Sequence, residues 1–64
     1  MINDLVKDCE DIAKRYETDK DIVMKRFQLI EDELKQNNKT APYIKVSHLT
    51  NKYFREQFYK SKGI

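Results

Sequence analysis

The sequence predicts a small all-α protein, a single three-helix domain over residues 1–64. Three segments place apolar residues at the three- and four-residue steps of a helix that buries one face. The residues between these segments are of the kinds that begin or end helices. A chain of 64 residues forms one domain at most. Because so short a chain buries only about 60% of its unfolded surface, its core is small.

The first predicted helix covers residues 3–16. Asn3 is its predicted N-cap, and Asp4 places a negative charge near the positive end of the helix dipole. Cys9 lies inside the apolar stripe, so we expect it to pack in the core rather than to react. The stripe consists of Ile2, Leu5, Val6, Cys9, Ile12, Ala13 and Tyr16.

The second predicted helix covers residues 19–36. Thr18 and Asp21 have the spacing of a capping box at its start. Residues 37–39 are expected to end it, because Asn adopts the left-handed conformation more readily than most residues. The acidic residues 31–33 fan around the helix, so they are expected to form a solvated patch rather than a metal site. The apolar stripe consists of Ile22, Val23, Phe27, Ile30 and Leu34.

The third predicted helix covers residues 48–60, and Gly63 lies past its end as a stop signal. Residues 41–47 have two interpretations. They form a short helix that begins near Pro42, or an extended connector that covers the core with Tyr43, Ile44 and Val46. The predicted core of the whole domain comprises Val6, Cys9, Ile12, Phe27, Ile30, Leu34, Leu49, Phe54 and Phe58.

Composition argues against several classes of function. The single glycine excludes a glycine-rich phosphate loop, and one Cys with one His cannot supply a typical zinc set. His48 has no catalytic partner at a suggestive spacing, so we predict neither an enzyme nor a cofactor. No apolar run of about 18 residues is present, which predicts no membrane span. The unpaired Cys9 and the charged N-terminus favour a cytoplasmic protein.

The net charge of +2 is unevenly distributed. Residues 1–33 contain six Lys or Arg and ten Asp or Glu, which gives −4. Residues 34–64 contain seven Lys or Arg and only Glu56 as an acid, which gives +6. Such a chain can present a basic surface to a polyanion. Alternatively, acidic helices pack beside basic ones, and the charges serve solubility.

The segment TNKYFREQFYKSKGI, residues 50–64, resembles the second helix-turn-helix of AraC-type transcriptional regulators. The resemblance is carried by Thr50, the pair Tyr53 and Phe54, and Phe58, with Gly63 and Ile64 at the end. It implies that residues 41–47 form a supporting helix and that His48 and Leu49 form the turn. It also implies a recognition helix that enters the major groove of duplex DNA.

In that arrangement Asn51, Lys52 and Arg55 are expected to face the bases. The remaining cations are expected to contact phosphates, namely Lys39, Lys45, Lys60 and Lys62. We therefore predict a small DNA-binding protein, an accessory regulator that acts as a homodimer on a two-fold site. The alternative is a protein-interaction module, an inhibitor or adaptor acting through its acidic N-terminal helices. A third hypothesis is an oligomeric structural protein that uses the stripe of the first helix as its dimer seam.

Overall fold

A computed structural model describes the backbone of residues 2–63 and the side chains of residues 4–63. It contains three helices, α1 (Ile2–Arg15), α2 (Lys20–Gln36) and α3 (Tyr43–Ser61), and residues 2–63 include no strand. The predicted small all-α, three-helix fold is therefore confirmed. The predicted cap of α1, the side chain of Asn3, lies outside the described side chains. None of the described helices is long and apolar enough to cross a membrane.

The three helices alternate in direction, so that α1 and α3 run parallel to each other. Near their starts, the Tyr43 hydroxyl donates a hydrogen bond to the Asp8 carboxylate. Near their ends, Lys62 Nζ lies 3.6 Å from Glu17 Oε2. α2 returns antiparallel to both, which short connections at residues 16–19 and 37–42 allow. Residues distant in sequence therefore meet along the contact between α1 and α3.

The connection between α1 and α2 uses a left-handed residue followed by a cap. Glu17 has φ +54°, and the Thr18 N–H donates to the Ala13 carbonyl at 2.8 Å, which is the Schellman arrangement. Asp19, rather than Thr18, caps α2, and its carboxylate accepts from the Asp21 N–H at 3.4 Å. The predicted capping box at Thr18 is wrong by one residue, because that N–H already closes α1.

The ends of α2 and α3 follow the sequence signals. Asn38 adopts φ +58°, and the N–H of Lys39 donates to the Leu34 carbonyl at 2.9 Å. Asn thus supplies the left-handed residue that was predicted to stop α2. Gly63, at φ +75°, follows α3 in the same role.

α3 begins five residues before its predicted start. Pro42 is the residue that precedes the helix, with φ −65° and ψ 150°, and its carbonyl accepts from the Val46 N–H at 3.1 Å. Tyr43 onward is therefore helical, and the extended interpretation is wrong. α3 also runs without interruption through His48 and Leu49. The turn that the regulator resemblance implies at those two residues is absent.

The core lies where one face of each helix meets the other two. Within α3 the buried residues are Val46, Thr50 and Phe54, one turn apart. The predicted phase of this helix was therefore partly wrong, because Leu49 and Phe58 are only half-buried at the flanks. Thr50 can be buried because its hydroxyl donates to the Val46 carbonyl at 2.7 Å. The buried residues are Cys9, Ile12, Ala13, Val23, Phe27, Val46, Thr50 and Phe54.

The middle of the apolar stripe of α1 is buried within a single chain. Cys9, Ile12 and Ala13 form one cluster with Val23 and Phe54, and each is at most 7% exposed. These three side chains are therefore not available to the dimer seam that the third hypothesis places on this stripe, because α2 and α3 already cover them. The remaining predicted core residues, Val6, Ile30 and Leu34, are half-buried at the edges.

Candidate nucleic-acid interface

The solvent-facing side of α3 carries a line of five exposed residues without an acid among them. We call it the outer stripe, and it consists of Lys45, His48, Lys52, Arg55 and Tyr59. Steps of three and four residues keep these side chains within about a quarter of the helix circumference. At 1.5 Å per residue, the outer stripe is about 21 Å long. It is therefore a narrow basic ridge rather than a pocket.

Three of the seven predicted DNA contacts lie together on the outer stripe. Lys45, Lys52 and Arg55 are exposed, and each is separated from the next by one or two turns of α3. The only acid in α3 is Glu56, which follows Lys52 by one helical turn. Glu56 is turned towards α2, where it lines a groove with Glu33.

Asn51 does not lie on the outer stripe. Its side chain is half-buried between α1 and α3, and its Oδ1 accepts a hydrogen bond of 2.6 Å from Arg15 Nη1. Asn51 thus connects two helices of the protein. The predicted contact between this amide and an adenine therefore requires Asn51 to leave Arg15, and it stays a prediction.

Lys62 and Lys60 are exposed but lie to the two sides of the outer stripe. Lys62 is on the side of α1, with Nζ 3.6 Å from Glu17 and 5.2 Å from the centre of the Phe58 ring. Lys60 follows Tyr53 by two helical turns and therefore lies on the side of α2. These two lysines do not converge with the outer stripe on one line.

Lys39 approaches the outer stripe from the loop between α2 and α3. It lines a shallow groove between these helices together with Lys52. Glu33 and Glu56 line the same groove, so its charge is mixed. Lys39 is exposed, and it extends the basic surface sideways from the middle of α3.

Sequence reasoning missed two members of the outer stripe. The resemblance places His48 in a turn, yet His48 and Tyr59 are both exposed on the basic side of α3. The signal was present as the steps of three and four residues from Lys45 to Tyr59. It becomes visible only when α3 is known to begin at Tyr43.

The acidic residues of α1 do not form a comparable stripe. Along the exposed side of α1, Asp4 and Asp11 alternate with Lys7 and Lys14. Asp8 accepts a hydrogen bond from Tyr43. The exposed acids of α1 are therefore spread among cations, whereas Asp32 and Glu33 of α2 are adjacent and exposed.

The buried and half-buried polar groups have structural explanations. Burial raises the pKa of the Cys9 thiol, and the negative charge of Asp8 adds to the effect, so the thiol stays neutral and packs as predicted. Burial, and then the hydrogen bond to Asp8, raises the pKa of the Tyr43 hydroxyl. Within residues 4–63, no three His, Cys, Asp or Glu side chains are grouped to hold a metal ion.

Fold and surface together define a small helical protein with one basic ridge. Comparison with known proteins adds no further identity, since no family model, curated protein or solved structure matches this chain.

Proposed function

We propose that this protein binds duplex DNA through the outer stripe of α3. The observation that carries the proposal is the alignment of three exposed cations with no acid among them. The cations from Lys45 to Arg55 extend over about 15 Å, which spans several phosphates of a duplex that carries one charge per about 1.7 Å of axis. The major groove of B-DNA, about 12 Å wide, also admits a helix.

The members of the outer stripe differ in what they offer to DNA. Lys45 and Lys52 are mobile point charges that suit phosphate oxygens. Arg55 presents a planar guanidinium, which pairs with the O6 and N7 of guanine through two hydrogen bonds. Tyr59 adds a hydroxyl at the far end of the ridge. Arg55 is therefore the residue that we expect to read sequence.

The alternative, a protein-interaction module that uses the acidic helices, has weaker support. Its working surface requires exposed acids in an unbroken group, whereas Lys7 and Lys14 interrupt the exposed acids of α1. We expect this alternative to gain support only if the protein shows no affinity for duplex DNA.

The proposal is tested by measuring duplex binding as a function of salt concentration. Fluorescence anisotropy with a labelled random duplex gives the dissociation constant from about 50 mM salt upward. The variant Lys45→Ala/Lys52→Ala removes the two lysines that we expect to contact phosphates. We expect weaker binding and a log–log salt slope smaller by about 1.8, since each phosphate contact contributes about 0.9.

The matched control is Lys7→Ala/Lys14→Ala, which removes the same charge from the exposed side of α1. We expect the control to keep the wild-type slope. If both variants lost the same affinity for duplex DNA, net charge alone would attract the duplex and α3 would form no specific interface. Absence of duplex binding by the wild-type protein at about 50 mM salt would overturn the proposal. Circular dichroism verifies that both variants remain folded.

A further inference from the structure

The solvent-facing side of α2 exposes two large apolar side chains in a single line. Ile22 is 54% exposed and Leu29 is 44% exposed, and they are separated by two helical turns. Gln36 continues the line two turns further along and is also exposed. This line lies on the opposite side of α2 from the buried Val23 and Phe27. Ile22 and Leu29 also line a shallow groove beside Tyr53 and Phe54 of α3, so the rest of the chain covers only about half of each side chain.

Charged residues flank this line in a pattern that reverses around Leu29. Before Leu29, the flanks carry the cations Lys25 and Arg26. After it, at the same distances, they carry the acids Asp32 and Glu33. The carboxylate of Asp32 also accepts a hydrogen bond of 3.0 Å from the Gln28 amide. One end of the exposed side of α2 is therefore positive, and the other end is negative.

We propose that this side of α2 is a self-association surface on which α2 of a second copy packs antiparallel, with a two-fold axis at Leu29. We call it the α2 surface, and it consists of Ile22, Lys25, Arg26, Leu29, Asp32, Glu33 and Gln36.

Charge complementarity is what selects a second copy as the occupant. A two-fold axis perpendicular to two antiparallel helices keeps each flank opposite the same flank of the second copy, so a residue three or four positions before the axis lies opposite the residue of that flank three or four positions after it. Lys25 then meets Asp32 of the second copy, and Arg26 meets Glu33 of the second copy. Each pair occurs twice, while the two Leu29 side chains meet at the axis. A parallel pairing would instead bring like charges together.

The preformed position of Arg26 adds to this arrangement. Its guanidinium lies 4.2 Å from the centre of the Tyr53 ring, so the side chain is held against α3. Less side-chain entropy is lost when a fixed cation meets an acid than when a free one does. Lys25 and Asp32 are exposed and form the other flank. The second copy therefore completes two rows of opposite charges around an apolar centre.

The test uses two single substitutions that reverse one flank. In Lys25→Glu, two acids face each other across the two-fold axis, and in Asp32→Lys, two cations do. Sedimentation equilibrium should show the wild-type protein associating towards twice the 7.7 kDa of one chain. We expect each variant to associate at least about tenfold more weakly, since attraction becomes repulsion at two symmetric pairs.

Mixing the two variants should restore association. In the mixed dimer, the glutamate introduced at position 25 meets the lysine introduced at position 32, and the native Asp32 and Lys25 meet at the second pair. Recovery in the mixture, with neither variant associating alone, requires the antiparallel arrangement. Failure of the mixture to recover, or a wild-type protein that stays at 7.7 kDa up to about 100 µM, would overturn the proposal.

A second pair of variants tests the apolar centre. Leu29→Lys places two cations at the axis and should abolish association. The matched control is Ile44→Lys on α3, which removes a side chain that is 82% exposed outside the α2 surface. The inference is independent of DNA binding, because sedimentation without DNA reports only on α2. The outer-stripe variants report only on α3, so either proposal can fail alone.

Discussion

The two sides of α3 carry different chemistry on the same helix. The inward side repeats every four residues as Val46, Thr50 and Phe54, all buried. The outer stripe repeats at three and four residues and is exposed along its whole length. Because no residue belongs to both sets, substitutions on the two sides should have separable effects. Substitutions on the inward side should change the free energy of unfolding, and substitutions on the outer stripe should change affinity.

The largest expected effect comes from a substitution on the inward side of α3. Phe54 is 7% exposed and packs in the cluster that includes Cys9, Ile12 and Val23. We expect Phe54→Ala to lower the free energy of unfolding by about 3–5 kcal/mol, through lost burial and the cavity left behind. That is a large fraction of the stability of a small domain. Urea denaturation followed by circular dichroism measures the change.

The matched control removes an aromatic ring from the outer stripe. Tyr59 is 45% exposed, and we expect Tyr59→Ala to change the free energy of unfolding by less than about 1 kcal/mol. Comparable losses from both substitutions would mean that the two sides of α3 are not energetically distinct.

A smaller effect is expected at Tyr43, which lies at the border between the two sides. Its ring lies 5.5 Å from that of Phe27, while its hydroxyl donates to Asp8. We expect Tyr43→Phe to lower the free energy of unfolding by about 0.5–1.5 kcal/mol at pH 7, which is the usual contribution of one hydrogen bond. The same urea denaturation measures it.

The effect of pH on this variant has a definite sign. Burial and Asp8 raise the pKa of Tyr43 in the folded protein above the unfolded value of about 10. The neutral hydroxyl therefore makes its full contribution to the free energy of unfolding below about pH 10. This contribution is lost as the pH rises through the pKa of Tyr43 in the folded protein. The difference in the free energy of unfolding between the wild-type protein and Tyr43→Phe should become smaller above about pH 10. A difference that stays constant there would contradict the role of the hydroxyl.

The smallest expected effect concerns the contact between Arg15 and Asn51. A double-mutant cycle with Arg15→Ala and Asn51→Ala should give a coupling of about 0.5 kcal/mol, because the hydrogen bond is exposed to solvent. Asn51→Ala should also leave discrimination between duplex sequences unchanged. Reduced discrimination would show that Asn51 leaves Arg15 to reach a base, and it would blur the distinction between the two sides of α3.

The sequence predicted the helices well because their signals are local. Apolar spacing identified all three, and Asn38 and Gly63 marked two of the ends. The start of α3 was missed because Pro42 is compatible with both a helix start and an extended loop. The burial of Thr50 was missed because its polarity hides the fact that its own helix satisfies the hydroxyl.

The candidate interface was predicted only in part, for a different physical reason. The exposure of Lys45, Lys52 and Arg55 follows from charge alone. The position of Asn51 depends on Arg15, which is 36 residues away in sequence. No local pattern encodes such a tertiary contact.

The parallel arrangement of α1 and α3 has a consequence for the order in which the protein folds. Its hydrogen bonds join residues 35 and 36 positions apart, whereas α2 meets each neighbour across a short connection. Because closing a longer loop loses more chain entropy, the two antiparallel helix pairs should form first, and the contact between α1 and α3 should form last. Contacts absent from the transition state act on the unfolding rate. Substitutions at Tyr43 and Asn51 should therefore raise the unfolding rate, while the folding rate, which depends on the helix pairs that α2 makes, should stay nearly unchanged.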